Sequence, residues 1–235
     1  MIWNPWHGCK KISAGCMNCY MYRRDAQFGK DSSVVEKTSS FRLPLQRRRD
    51  GSYKLTDDVV YACMTSDFFI DEADEWRRDA WRMIKERSDT EFYIITKRIH
   101  RFEVSLPDDW GDGYDNVTIC STCEDQRAAD ERLPVFLSLP IKHREIIHEP
   151  MLSDIHEEQY LSTGFVDRVI CGGESGDEGR ICRYSWVLSV REQCMRCGVP
   201  FCFKQTGTHF EKDGRVYTIE RRYQHSQAKR AGIDT

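Results

Sequence analysis

Three cysteines stand close together near the start of the chain, Cys9, Cys16 and Cys19, separated by six and then two residues. Gly8 and Gly15 make the intervening loop permissive, and a helical pattern follows over residues 19–28. Three thiolates on one loop suit a metal centre. A [4Fe-4S] cluster held by only three protein thiolates keeps one iron open, and that iron can chelate the amino and carboxylate groups of a small ligand such as S-adenosylmethionine (SAM). Two plainer readings share the spacing: a tetrahedral zinc site completed by His7 or a remote fourth ligand, and three unliganded thiols.

A second group of residues follows apolar runs along the chain. Gly172-Gly173-Glu174-Ser175-Gly176 comes directly after Cys171, where its glycines would let the backbone approach a ligand and Glu174 would accept hydrogen bonds from an ammonium or a ribose. The plain alternative is a turn with a solvated glutamate. Lys97 with Arg98, and Lys204, could bind a carboxylate or phosphate, or could form ordinary ion pairs with Glu124 or Glu149. Cys120 and Cys123 could be a redox pair, a metal site or a hydrogen-atom donor, and Cys182, Cys194, Cys197 and Cys202 a second metal site; for both sets packing is the favoured reading. His143, His148 and His156 form no tight ligand motif and are expected to be exposed or hydrogen-bonded. Trp3, Trp6 and Tyr20 could stack on adenine, though shielding the cysteine loop is the simpler role.

These residues need elements to position them. Short apolar runs alternate with helical patterns to about residue 207, which predicts parallel β-α units. Strands are expected over residues 59–64, 92–96, 117–120, 145–148, 168–171 and 200–203. Helices are expected over 19–28, 71–87, 126–139, 156–162 and 185–197; in the second, Trp76, Ala80, Met83 and Ile84 keep the spacing of an amphipathic helix. Periodicity leaves open a full or partial barrel and a doubly wound sheet. In each, ligands sit at the carboxyl ends of the strands, and there the chain carries Asp67, Lys97, Arg98, Glu124, Glu149, Glu174 and Lys204. Residues 30–54 and the polar extension 208–235 are expected to be loops or peripheral elements around a single domain, 1–207.

At Trp3-Asn4-Pro5 through Cys9, Gly15-Cys16 and Asn18-Cys19-Tyr20, the chain resembles the phage-borne three-cysteine-motif family of uncharacterised proteins, related to the radical SAM superfamily. It is similar again at Met64-Thr65-Ser66-Asp67, Ile95-Thr96-Lys97-Arg98, Thr122-Cys123-Glu124-Asp125-Gln126, Glu149-Pro150-Met151-Leu152, Gly172 to Gly176, and Phe203-Lys204-Gln205-Thr206-Gly207. The resemblance covers residues 2 to about 207. It implies an α/β fold, a single-domain full or partial (β/α) barrel of the radical SAM type, with Cys9, Cys16 and Cys19 as ligands of a [4Fe-4S] cluster that cleaves SAM. The six-residue first gap departs from the commonest radical SAM spacing. Gly172, Gly173, Glu174 and Ser175 resemble the element by which such enzymes bind the methionine amino group, although it comes late in this chain. With Asp67 they are the expected cofactor-binding residues; Lys97, Glu124, Glu149 and Lys204 are the catalytic candidates. An electron donor such as flavodoxin or ferredoxin would be the partner.

Composition narrows the alternatives. Thirty-five basic against 38 acidic residues give a net charge of −3, which excludes a general nucleic-acid coat protein and leaves only local contact. Arg42, Arg47, Arg48 and Arg49, with Arg221, Arg222, Lys229 and Arg230, are where a phosphate backbone would be tracked. Together with the phage association of the family it resembles, these segments make a nucleotide or nucleic acid the preferred substrate class. Eleven cysteines, an odd number, with no secretory pattern at Met1 to Gly8 and no membrane-spanning run, predict a cytosolic protein that uses its thiols for metal binding or thiol chemistry rather than disulfides. The competing expectation is a non-catalytic zinc- or cluster-binding interaction module.

Overall fold

The structure, a computed structural model, describes residues 1–235 of a mixed α/β chain. Seven strands are hydrogen-bonded in the order β1-β4-β5-β6-β7-β8-β10, where β1 is Ile2–Trp3, β4 Val59–Ala62, β5 Glu91–Thr96, β6 Val117–Thr122, β7 His143–His148, β8 Arg168–Gly172 and β10 Phe201–Gln205. The pairings β1 with β4, β4 with β5, β7 with β8 and β8 with β10 are parallel. Parallel strands must be covered on both faces, which is why they read as short, nearly continuous apolar runs. Seven such strands are compatible with a partial, not a complete, (β/α) barrel. The six expected strands all form, and β1 adds a seventh that pairs Trp3 with Ala62. No helix is long and apolar enough to cross a membrane.

Contacts divide the chain into two compact units. The first comprises residues 1–11, 24–120 and 138–143. Besides β1, β4 and β5 it holds the short antiparallel pair β2 (Trp6–His7) and β3 (Glu36–Lys37). Helix α2 (Asp74–Glu86) follows a single 3-10 turn, Asp71–Ala73, and buries Ala80, Trp81, Met83 and Ile84 along one stripe. Trp81 is the centre of an aromatic cluster, with ring centroids 4.8 Å from both Phe68 and Trp110. Arg87, at the end of α2, donates to the carbonyls of Pro44 and Leu55 and so ties the aperiodic segment 42–55 to the core.

The second unit comprises residues 12–23, 121–137 and 144–235. It contains the first half of α1 (Tyr20–Gln27) and nearly all of α3 (Gln126–Ser138), with α4 (Glu158–Leu161) and α5 (Tyr184–Cys197). Beyond β10 the parallel alternation stops, but the chain remains ordered. Strand β11 (His209–Lys212) pairs antiparallel with β12 (Arg215–Thr218) and parallel with β9 (Cys182–Arg183), and α6 (Arg221–Arg230) packs against β10. The last residues close on the same strand: Phe201 donates its amide to Thr235 Oγ1 and Phe203 to Asp234 Oδ1.

Trp81 is fully buried. Trp81→Ala is expected to lower the unfolding free energy by about 3–5 kcal/mol, read by urea denaturation.

Candidate functional site

In the first unit the expected residues gather beyond β4 and β5. Cys9 follows Gly8, whose φ is +93° and where a Cβ would stand 2.0 Å from the Val34 carbonyl oxygen, so only glycine lets the chain turn there. Arg98, two residues beyond β5, links three groups. Its guanidinium lies 3.7 Å from Cys9 Sγ, donates to the Lys10 carbonyl at 2.6 Å and faces Asp67 Oδ2 at 3.4 Å. Asp67 is buried and accepts from the Phe69 amide, the Thr96 hydroxyl and the Lys97 amide. Asp67 therefore organises the loops after β4 and β5, and Lys97 is held through its backbone. Trp3 and Trp6 are sealed in the core of this unit, Trp3 edge-on to Phe92 and Trp6 donating to the Asp67 carbonyl, so neither presents a face to adenine.

In the second unit Cys16 closes a 3-10 turn, Ala14–Cys16, and Cys19 directly precedes α1. Two strand-end carboxylates fasten this turn. Glu124, two residues beyond β6 and 1% exposed, accepts the Gly15 amide at 3.0 Å and the Arg132 guanidinium at 2.7 Å. Glu174, two residues beyond β8, accepts Asn18 Nδ2 at 3.1 Å. Its carboxylate is also gripped by Arg180, at 2.6 Å to Oε1 and 2.8 Å to Oε2. Although its burial opposes the charge, the hydrogen bonds from Arg180 and Asn18 hold the Glu174 carboxyl below the usual range. It is an engaged carboxylate rather than a solvated one, and an incoming ammonium would have to displace Arg180.

Glu149, immediately beyond β7, pairs with Lys204 at 2.7 Å and accepts Gln205 Nε2. The ion pair is the ordinary alternative considered for Lys204 from the sequence, whereas Glu124 pairs with Arg132, which sequence reasoning did not single out. Tyr20 lies near Cys19 and Glu149; although the residue is 45% exposed, desolvation of its hydroxyl, reinforced by these two groups, pushes it up to about 12. Gly173 lets two strand-end loops touch, since a Cβ there would stand 2.2 Å from the Thr206 carbonyl oxygen. Ser175 donates to Gln224 at 2.8 Å, and Gly172 abuts Glu149.

His148 is the residue whose importance the sequence concealed. Fully buried, it contacts Glu157 Oε1 through Nε2 at 2.8 Å and the Cys123 carbonyl through Nδ1 at 2.6 Å. A carbonyl and a carboxylate on its two nitrogens favour the charged ring. Burial opposes that charge, but the charge and hydrogen bond of Glu157 and the Cys123 carbonyl outweigh it and raise His148 above its ordinary value. Its bond to Cys123 braces the residue next to Glu124. His143 and His156 are not part of this arrangement; His156 is exposed.

The cysteines fall into two populations by solvation. None of the eleven forms a disulfide; Cys9, Cys16 and Cys19 are partly exposed, whereas Cys63, Cys120, Cys123, Cys171, Cys182 and Cys194 are buried. Burial pushes the thiols of Cys63, Cys123, Cys171 and Cys194 well up, and that of Cys182 up to about 12, so they remain protonated and unreactive. Cys197 and Cys202 are partly exposed on α5 and β10. As the side chains stand, no group of three or more His, Cys, Asp or Glu is gathered closely enough to hold a metal ion. Thiolates are the donors an iron-sulfur cluster takes, so the chemistry of Cys9, Cys16 and Cys19 fits one.

The family described as "Protein of unknown function (DUF5131)" matches residues 1–233, and the chain belongs to it. No curated protein and no solved structure matches the chain.

Arg132→Ala strands the buried Glu124 charge and is expected to cost about 3–5 kcal/mol in urea unfolding. The pH dependence of His148 has a definite sign. Because its folded value is raised, its stabilisation is complete below the unfolded value of about 6.5 and is lost as pH rises through the raised one. Wild type should therefore exceed His148→Gln in Tm by a margin that is largest in mild acid and shrinks towards alkaline pH.

Proposed function

We propose that this member of the DUF5131 family is a radical SAM enzyme, a partial (β/α) barrel of that type in which Cys9, Cys16 and Cys19 ligate a [4Fe-4S] cluster. Its preferred substrate class is a nucleotide or nucleic acid, with a flavodoxin- or ferredoxin-like electron donor. When bound, the cluster supplies the electron that reductively cleaves SAM to methionine and a 5′-deoxyadenosyl radical. The observation that carries the proposal is the fastening of the Cys16 to Cys19 turn, through the Gly15 amide and Asn18, to the carboxylates beyond β6 and β8. A redox-active loop held at the carboxyl ends of parallel strands is where this class of fold places its chemistry.

The roles of the chain's own groups follow from their surroundings. The thiols at residues 9, 16 and 19 are partly exposed and therefore available to iron. Helix α1 begins immediately after Cys19, so the positive end of its dipole opposes the negative charge of a thiolate-bound centre. Arg98 supplies a second positive group beside Cys9. Lys97, Glu149 and Lys204 remain the candidates for orienting substrate or the SAM carboxylate. Gly172, Gly173 and Ser175 shape the backbone beside them.

A second reading, a non-catalytic zinc- or cluster-binding module, is favoured by one observation: Glu174 is already satisfied by Arg180 and Asn18. Anaerobic reconstitution with iron and sulfide, followed by dithionite and SAM, separates the two. Wild type and Cys197→Ala are expected to be brown and to release 5′-deoxyadenosine, while Cys16→Ala loses both colour and product. A fully loaded cluster that yields no 5′-deoxyadenosine would overturn the enzyme reading, and a colourless zinc-loaded protein would establish the module.

A further inference from the structure

A cleft of about 480 Å³ lies within the second unit, among β10, the β11–β12 hairpin and α6, built largely by residues 206–231. It falls in the size range of small-molecule sites. The hairpin's register explains its character. The chain reverses through Asp213 and Gly214, both at positive φ as a two-residue hairpin turn requires, so Phe210 stands opposite Tyr217 and Lys212 opposite Arg215. Directly opposed residues share a face. One face of the hairpin therefore carries two aromatic rings followed by two cations, and the acidic Glu211 belongs to the other.

The walls of the cleft continue this pattern. Phe203 stacks on Phe210 at 5.7 Å, and Tyr184 meets Phe210 edge-on at 5.9 Å. Lys212 Nζ sits 4.9 Å from the Tyr184 ring, and Arg230 enters from α6. No carboxylate lines the cleft. Arg183 and Arg222 on the same unit are neutralised by Glu211 and Glu220, but Lys212 and Arg230 form no ion pair. Thr206, Thr218 and Gln227 supply hydrogen-bonding groups at the edge. Tyr217 is 42% exposed, so its ring is accessible to a ligand rather than spent on the core.

We propose that this cleft binds a nucleobase bearing a phosphate, with the base against the Tyr217 and Tyr184 rings and the phosphate between Lys212 and Arg230. Aromatic faces accept any base, and unpaired cations beside them supply the attraction for the backbone. The ligand is either a free nucleotide or one unit of a single strand; along a strand, Lys229 and Arg215 continue the positive surface. No residue of the cysteine loop lines the cleft, and binding there needs neither iron nor SAM, so its test is independent of the proposed chemistry.

Fluorescence anisotropy of labelled oligouridylate and oligothymidylate of about a dozen nucleotides, with UMP and TMP as competitors, measures it directly. Tyr217→Ala is expected to weaken binding about tenfold or more. Lys212→Glu with Arg230→Glu should weaken it further and flatten its salt dependence. Phe165→Ala, an exposed aromatic elsewhere, should bind as wild type does. Circular dichroism and urea unfolding establish that each variant is folded. Competition by mononucleotide at the strand's own affinity identifies a free nucleotide as the ligand, and strand binding that mononucleotide fails to displace identifies a single strand. Absence of binding by both probe types, or folded cleft variants that bind as wild type does, would overturn the proposal.

Discussion

A carboxylate taken out of water costs several kcal/mol unless hydrogen bonds and an opposite charge replace its hydration. Glu124 meets that requirement with the Gly15 amide on one oxygen and Arg132 on the other, while its own carbonyl accepts the Leu152 amide. The cysteine turn, α3 and the chain beyond β7 thus depend on one residue just beyond β6. His148 and Glu157, buried beside it, fix the preceding Cys123 carbonyl. The position of Cys16 and Cys19 is therefore a consequence of buried electrostatics rather than of the loop's own conformational preference.

The first unit reaches a similar end differently. Asp67 is satisfied by two backbone amides and a hydroxyl from the loops it joins, and Arg98 spans from it to Cys9 and the Lys10 carbonyl. Gly8 permits the close approach of Val34 that this path needs. A charged side chain at the strand end governs a thiol in both units. Solvation then separates those thiols from the six buried ones, because a buried thiol in apolar surroundings resists ionisation and a partly exposed one on a loop can meet a metal.

Net charge is a poor guide to the surface of this protein. The overall balance of −3 hides a cleft with two uncompensated cations and no acid, because Glu211 and Glu220 beside it pair with Arg183 and Arg222 instead. The strand alternation of the hairpin, not the amount of charge, puts the cations and rings together.

The expected strands at 59–64, 92–96, 117–120, 145–148, 168–171 and 200–203 appear within two or three residues of their observed bounds, because burial on both faces writes itself into a local apolar run. The amphipathic stripe of α2 was legible for the same reason, as were the spacing of Cys9, Cys16 and Cys19 and the charged strand ends. Strand β1 was not, since two residues carry no period and Ile2–Trp3 is a strand only because β4 lies beside it. Residues 208–235 read as polar extension: Asp213-Gly214 is a hairpin signal, but charged flanks masked the alternation, and α6 buries only Gln224 and Ala228. The partners of the site residues were beyond sequence reasoning altogether. Gly15 and Glu124 are 109 positions apart, Asn18 and Glu174 are 156 apart, and strand register decides which such groups meet. Periodicity records how each segment meets water, so the sequence by itself determined the elements and the reactive residue types; only the tertiary structure, by choosing which distant charges are buried together, decided their roles.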